Sequence, residues 1–387
     1  MVKPWETATI GDFLDFKNGL NKGKEFFGYG TPIVNYTDVY KNRGLKKVDI
    51  RGKVCLTPDE IHRFDVRKND VFFTRTSETP DEVGMSSVLL EDVENGVFSG
   101  FVLRGRPKND MFVPEYCKYC FSTEVVRNAI ITGCTYTTRA LTNGKQLSAI
   151  ELPVPPKPEQ KAIAETLSDI DALIVNLEKL IAKKKAIKQG AIHELLTGER
   201  RLPGFTGEWQ KYKLDDLLKY EQPTKYIVKS TEYSEKGIPV LTAGKSLLLG
   251  YTVEDDGIYE NLPVIIFDDF VTSSKYIDYK FKVKSSAMKM LTLRNERMNL
   301  KLIFALMQMI DFSPVDHQRH WISQYSQFEI NMPVDIAEQN AIATILFDID
   351  SEIDAIEKKL EKMIQIKQGI MSELLTGRIR LVDKEDA

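Results

Sequence analysis

Along two stretches of the chain, apolar residues recur at steps that alternate four and three. In the second stretch Ile342, Leu346, Ile349, Ile353, Ile356, Leu360, Met363, Ile370 and Leu374 keep the pattern, broken only by Lys367. The first stretch repeats it with Ile163, Leu167, Ile170, Ile174, Leu177 and Ile181, then Lys184 and Lys188 before Leu195. Such spacing is the heptad face of a long helix that packs on another helix. Gly198 and Gly377 follow the last periodic leucines and supply left-handed C-caps. Each predicted helix runs about 38 residues, roughly 57 Å at ~1.5 Å per residue. Its apolar stripe is too narrow to hold it alone in water, so the two helices are expected to pair, most simply antiparallel.

Elsewhere the pattern is shorter and β-like. Val71-Phe72-Phe73-Thr74 and Val264-Ile265-Ile266-Phe267 are apolar, β-branched runs that predict buried strands, and Pro32-Ile33-Val34 and Pro239-Val240-Leu241 predict further β segments. Residues 112–131 and 299–310 predict helix. Two blocks result, and both open alike, with Trp5-x4-Ile10-Gly11-Asp12 and Trp209-x4-Leu214-Asp215-Asp216. The expected fold class is α+β, with two globular blocks alternating with two long helices that pair as an antiparallel coiled coil in a pseudo-two-fold repeat. The expected domains are 1–150, 151–204 (central helix and junctions), 205–330 and 331–387 (C-terminal helix).

The repeat is explicit in the residues. Residues 159–202 and 338–381 align without a gap at an offset of 179, with 24 identities in 44 positions. The globular blocks share a plan but little sequence, so the helices keep one geometry while the blocks are free to differ.

At 387 residues the chain is long enough for two or three domains, and 42% hydrophobic with 28% charged residues is a globular composition. No apolar run reaches the ~18–20 residues of a membrane span, and the N-terminus lacks the shape of a signal peptide. Cys55, Cys117, Cys120 and Cys134 are confined to the first third, which excludes a disulfide framework and fits a reducing cytoplasm. The charge balance, 53 Lys+Arg against 56 Asp+Glu, does not advertise nucleic acid. Its acidic excess sits in residues 331–387, with 7 basic and 12 acidic groups, so the remainder is not excluded from binding DNA.

Chemical motifs are few. Cys117-x2-Cys120 has zinc spacing, with Cys134 and His62 as partners, but it lies in a helical stretch without a second pair and reads as small buried residues. His317-x2-His320 is a similar weak pair, and Phe27-Gly28-Tyr29-Gly30 has no strand–helix context and reads as a turn. No Asn-Pro-Pro-aromatic tetrad for amino-methylation and no Gly-x4-Gly-Lys-Ser/Thr loop for ATP is present. No catalytic or metal-ligating set emerges. The runs Lys183-Lys184-Lys185 and 357–362 read as solvated faces or partner-facing charges.

Pro155-x3-Glu159-Gln160-x2-Ile163-Ala164, Leu167-x-Asp169-Ile170-Asp171 and Lys188-Gln189-Gly190-x5-Leu196-Thr197-Gly198 each have a second-copy counterpart. In these marks, and in its order of block, helix, block and helix, the chain resembles the specificity subunit of type I restriction-modification systems. The resemblance implies that each block is a target-recognition domain reading one half of a split double-stranded DNA site. It implies that the helices set the half-site spacing and dock two methyltransferase subunits, with motor-nuclease subunits as further partners. It implies no catalysis and no cofactor in this chain, S-adenosylmethionine and ATP with Mg belonging to the partners. Two other classes stay open at this point. One is a self-sufficient DNA methyltransferase or restriction enzyme with divergent motifs; the other is a coiled-coil adaptor that binds no DNA.

Candidate DNA contacts are loop clusters that mix hydroxyl, amide and cationic groups, because Arg can fork onto guanine while Ser and Thr reach phosphate or a thymine edge. In the first block these are Lys22, Lys24, Thr74, Arg75, Ser77, Tyr136, Thr138 and Arg139. In the second they are Lys225, Tyr226, Lys245, Ser273, Ser274, Lys275, Arg319 and Trp321. For each, the alternative is a solvated loop. Arg75 and Lys275 stand out because each follows a predicted strand at matching places in the two blocks. Arg139 and Arg319 each precede the return to a long helix. Tyr136 and Trp321 are placed to stack or wedge between bases, or else to pack in a core.

Overall fold

The computed structural model describes residues 5–230, 232–242, 247–312 and 320–381. The chain forms two compact units, each built from one globular block and half of both long helices. Residues up to 178 and from 358 onward make one unit, and residues 179–357 make the other. The helices run Lys157–Thr197 and Ile336–Leu374, 41 and 39 residues.

In the first unit a five-stranded sheet has the order Leu14–Asn18, Val102–Pro107, Val71–Thr74, Ser86–Leu89, Gly44–Leu45. Alternate residues of its central strands face opposite cores. Val71, Phe73 and Leu103 pack towards Ile163, Ala164 and Leu167 of the first helix and Leu374 and Leu375 at the end of the second. Phe72 and Val102 face the other side, with Val34, Leu45, Leu89 and Phe98. Both faces are covered, which is why the Val-Phe-Phe run is apolar throughout rather than alternating. A two-stranded pair, Glu6–Thr9 with Glu151–Val154, ties the block's beginning to the segment entering the helix.

The second unit repeats this plan. Its four-stranded antiparallel sheet has the order Leu218–Glu221, Met288–Leu293, Val264–Asp268, Ser274–Ile277. Ile265, Phe267 and Leu291 pack with Leu195, Leu196, Ile342, Ala343 and Leu346 of the two helices, while Val264, Ile266 and Met290 face the opposite core. Trp209–Lys213 pairs with Glu329–Pro333 as the counterpart of the first unit's closing strands.

Inside each unit the helices run antiparallel. In the first, Asp171 pairs with Lys367, and Glu159, earlier in its helix, pairs with Arg380, beyond the end of the other. In the second, Lys184 pairs with Glu352, Lys188 with Asp350 at 2.5 Å and Arg201 with Glu338 at 2.6 Å. The lysines that interrupt the heptads therefore do not weaken the seam. Each is neutralised across it, and the Asp-Ile-Asp marks supply the acids at 171 and 350. Lys185 likewise pairs with Glu357 at 2.7 Å, so part of the basic run is held within the chain rather than presented to solvent.

The repeated Glu-Gln mark also has a structural cause. Glu159, fully buried, accepts two 2.6 Å bonds from Arg380 and one of 3.0 Å from Trp5 Nε1. Glu338, equally buried, accepts two 2.6 Å bonds from Arg201, whose guanidinium lies 5.6 Å from the Trp209 ring centre. The adjacent glutamines stitch helix to block. Gln160 accepts from Val113 N and donates to Met111 and Pro155 carbonyls, and Gln339 accepts from Asn299 N and donates to the Pro333 carbonyl. Among the described residues no helix is long and apolar enough to cross a membrane.

Candidate nucleic-acid interface

In the first block the Val71–Thr74 strand runs into Arg75, whose N–H donates to the Phe101 carbonyl and whose carbonyl accepts from Thr142 N. Beyond it, Thr76–Ser77 forms the edge of a three-stranded sheet with Ala140–Leu141 and Thr135–Tyr136. The tip between the last two strands carries Thr137, Thr138 and Arg139, all exposed. Beneath it a cleft of about 340 Å³ is lined by Tyr36, Thr76, Ser77, Glu78, Glu82, Phe101 and Arg139. Among the described residues Arg139 is the one cation of that lining. Glu82 accepts from Ser77 Oγ at 3.0 Å and from Tyr40 OH at 2.8 Å, and the carboxylate raises the Tyr40 phenol pKa. Phe101 and Tyr136 are exposed by 58% and 56%, unusual for aromatic rings unless a partner covers them.

The second block uses the same strand differently. Val264–Asp268 turns at once into Ser274–Ile277, and Asp268 Oδ1 accepts from Phe270 N at 2.8 Å and Val271 N at 3.1 Å. Thr272 sits at φ 56°, and its N–H closes the turn on the Asp268 carbonyl. This tight turn exposes Phe270, Val271 and Ser273, with Lys275 just inside the next strand. Asp269 then occupies the slot that Arg75 fills in the first block. Its N–H donates to the Ala287 carbonyl and its own carbonyl accepts from His320 N. Its carboxylate pairs with fully buried Lys289 at 3.3 Å and accepts from Trp321 N at 2.9 Å. Lys289 also donates to Gln222 Oε1 at 2.9 Å, so one buried ion pair fixes the turn, the Pro223–Tyr226 segment and the start of His320–Ser323.

The description of the type I restriction modification DNA specificity domain matches residues 2–189 and 206–366. The chain belongs to this family. The specificity subunit of EcoR124I/EcoR124II from Escherichia coli is 43% identical over 182 residues, covering 46% of this chain and 43% of that protein, less than half its length. The MjaVIII specificity subunit of Methanocaldococcus jannaschii is 23% identical over 417 residues, covering 97% and 93%. Among solved structures, the S subunit from M. genitalium shares the fold at a TM-score of 0.66 and 17% identity over 96% of each chain. Membership of this family makes the chain a type I specificity subunit, whose part is recognition of the DNA target.

For a type I specificity subunit the candidate residues divide by exposure. Lys24, Tyr136, Thr138, Arg139, Lys225, Ser273 and Lys275 lie at the surface. Several others are buried or already hold partners within the chain. Thr74 is fully buried, donating to the Glu82 carbonyl and accepting from Met85 N. Ser77 and Ser274 are buried, on Glu82 and Gln308 respectively. Lys22 is held by Glu60 at 2.6 Å over the Phe26 ring, and its bond keeps the Glu60 carboxyl below the usual range. Tyr226 is half-buried and donates to Glu221 at 2.8 Å. Trp321 is a core residue against Phe267 and Tyr325, not a surface wedge. Arg75 is half-buried, with Nη1 3.4 Å from the Gly100 carbonyl. Lys245 and Arg319 lie outside the described residues.

The matching of Arg75 with Lys275 is also corrected. Register pairs Phe72 with Ser87 and Ile266 with Lys275, so Lys275 corresponds to Ser87, and Asp269 corresponds to Arg75. Residues 75–85 separate the two strands in one block and 269–273 in the other, so equal distance along the chain after the first strand is not equal position in the sheet. Tyr36, Phe101, Phe270 and Val271 were not anticipated. For the last two a signal existed, since Asp268-Asp269 between two apolar runs is a turn signature that forces the next residues outward. Cys117 and Cys120 are buried, and burial pushes the Cys120 thiol well above its ordinary range. Among the described residues no group of three or more His, Cys, Asp or Glu is placed to hold a metal ion.

Proposed function

We propose that the chain reads an asymmetric, bipartite DNA site, one half-site per globular block, and scaffolds two methyltransferase subunits on its long helices. Motor-nuclease subunits join that assembly, in the cytoplasm, and S-adenosylmethionine, ATP and Mg are bound by the partners. The observation that carries the reading is one strand scaffold with different exposed groups on its loops, Tyr136, Thr138 and Arg139 in the first block and Phe270, Val271, Ser273 and Lys275 in the second. Similar supports with different exposed groups suit two different half-sites. Lys24, Tyr136, Thr138 and Arg139 serve the first half-site, with Arg75 at its edge; Lys225, Ser273 and Lys275 serve the second. Lysines supply affinity on phosphates, and Arg139, isolated among acidic and aromatic neighbours, supplies base discrimination. Docking is supported by apolar side chains left exposed on the helices, Leu173, Val175, Ile364 and Ile366 in one unit and Leu180 and Ile187 in the other.

Purified chain incubated with labelled methyl donor and DNA is expected to transfer no methyl group, and to direct sequence-specific transfer once a methyltransferase subunit is added. Methyl transfer by the pure chain, or unspecific transfer by the mixture, would overturn the reading. Arg139→Ala is expected to weaken specific binding by about 1–3 kcal/mol and to relax preference in the first half-site alone. Anisotropy titrations against sites altered in either half measure this. Equal losses at both halves would remove Arg139 from base readout.

A further inference from the structure

The two units can be compared residue by residue where block meets helices. Val113 N donates to Gln160 Oε1 in one and Asn299 N to Gln339 Oε1 in the other. At the same spacing Lys118 reaches Ser168 where Phe304 packs on Phe347, and the Asp171–Lys367 pair matches Asp350–Lys188. Tyr119 therefore corresponds to Ala305. Tyr119 is fully buried, its hydroxyl donating to Asp171 Oδ2 at 2.7 Å and lying 3.1 Å from Ser168 Oγ. In the second unit the alanine leaves a cleft of about 490 Å³, whose lining includes Ile192, Phe304, Ala305, Met309, Phe347 and Asp350.

We propose that this cleft receives a tyrosine side chain from the methyltransferase subunit docked on that unit, its hydroxyl donating to Asp350. The inference rests on the docking read above and adds its anchor. Tyr119 shows what fills the equivalent place in the first unit, an aromatic ring whose hydroxyl reaches the aspartate, while Phe304 and Phe347 stand here where Lys118 and Ser168 stand there. Phe304, Phe347 and Met309 on one part of the wall suit a ring, and Gln189, His193 and Gln308 make the rest polar. On its lining Lys188 already holds Asp350 Oδ1 at 2.5 Å, and the Asp350 side chain, 42% exposed, keeps its other oxygen accessible to a donor from outside. With Lys188 already paired to the carboxylate, a neutral donor matches that oxygen better than a second cation. The first unit, filled by Tyr119, offers no such seat, so the two docked copies are held unequally.

Ala305→Tyr supplies the ring from within. The variant is expected to melt at or above the parent temperature and to keep its DNA affinity. Its affinity for the methyltransferase subunit at that unit should fall about tenfold, the combined worth of an aromatic contact and a hydrogen bond. Native mass spectrometry at limiting concentration should then show one bound copy where the parent chain shows two. Met309→Glu, at an exposed position on the rim, tests the same seat without touching the core and decides the matter if Ala305→Tyr fails to fold. Two copies bound with parental affinity by either folded variant would overturn the proposal. So would weakened DNA binding by Ala305→Tyr in the absence of the subunit, which would make nucleic acid the occupant. Failure of the parent chain to bind any methyltransferase subunit would instead remove the docking reading itself.

Discussion

Arg201→Ala is expected to lower unfolding stability by about 3–5 kcal/mol, the cost of leaving a buried carboxylate without its cation. Glu338 is fully buried and gives both oxygens to Arg201, so removing the guanidinium leaves that carboxylate without its partner. The reverse change, Glu338→Ala, should cost less, because the Arg201 side chain retains 28% exposure and can turn outward. The duplicate clamp offers an internal control. Arg380→Ala strands Glu159, but Trp5 Nε1 still donates to it at 3.0 Å, whereas Trp209 Nε1 has no hydrogen-bond partner among the described residues. Arg380→Ala should therefore be milder than Arg201→Ala by about 1 kcal/mol, one hydrogen bond. Urea titrations of the four proteins measure these differences, and losses under 1 kcal/mol for both arginine variants would show that the clamps do not hold the helix ends.

Four residues inserted near Lys184 are expected to keep both half-site sequences and lengthen the spacer between them by about one base pair. Four residues add one turn, roughly 6 Å at ~1.5 Å per residue, against ~3.4 Å per base pair of B-DNA. They also return the helix to nearly the same side, so the apolar seam and the Lys188–Asp350 pair can persist. Two residues would rotate the following face by about 200° and point Leu195 and Leu196, now buried, away from Ile342 and Leu346. That variant should lose assembly or activity. Methylome sequencing of cells carrying each variant with its methyltransferase partner reads the outcome. An unchanged spacer in an active four-residue variant would mean that the helices do not set half-site distance.

The clamps and the seam show how much of the architecture is written locally. Heptad steps, the Gly198 and Gly377 caps and the repeated Glu-Gln and Asp-Ile-Asp marks were sufficient to predict two long helices in antiparallel contact. Period and helix geometry are properties of near neighbours, and a duplication makes any shared geometry visible twice. The strand runs Val71–Thr74 and Val264–Asp268 were legible for the same reason. Even the seam lysines had a readable answer, since an acid stands at the matching place in each copy.

Which side chains face solvent was decided only by the tertiary structure. Thr74, Ser77, Ser274 and Trp321 have the chemistry of DNA contacts, yet sheets and turns distant in sequence close over them. Burial is a sum over partners scattered along the chain, and no local pattern encodes that sum. Correspondence between the blocks was hidden for a related reason: an insertion at one turn shifts the linear count but not the register, so Arg75 aligns in space with Asp269 rather than Lys275. The cleft at Ala305 is the plainest case. A single small residue is unremarkable in sequence, and it becomes a seat only because Tyr119 occupies the equivalent point of the other unit. Periodicity, duplication and caps were thus determined by the sequence itself, while exposure, pairing and vacancy followed from long-range packing.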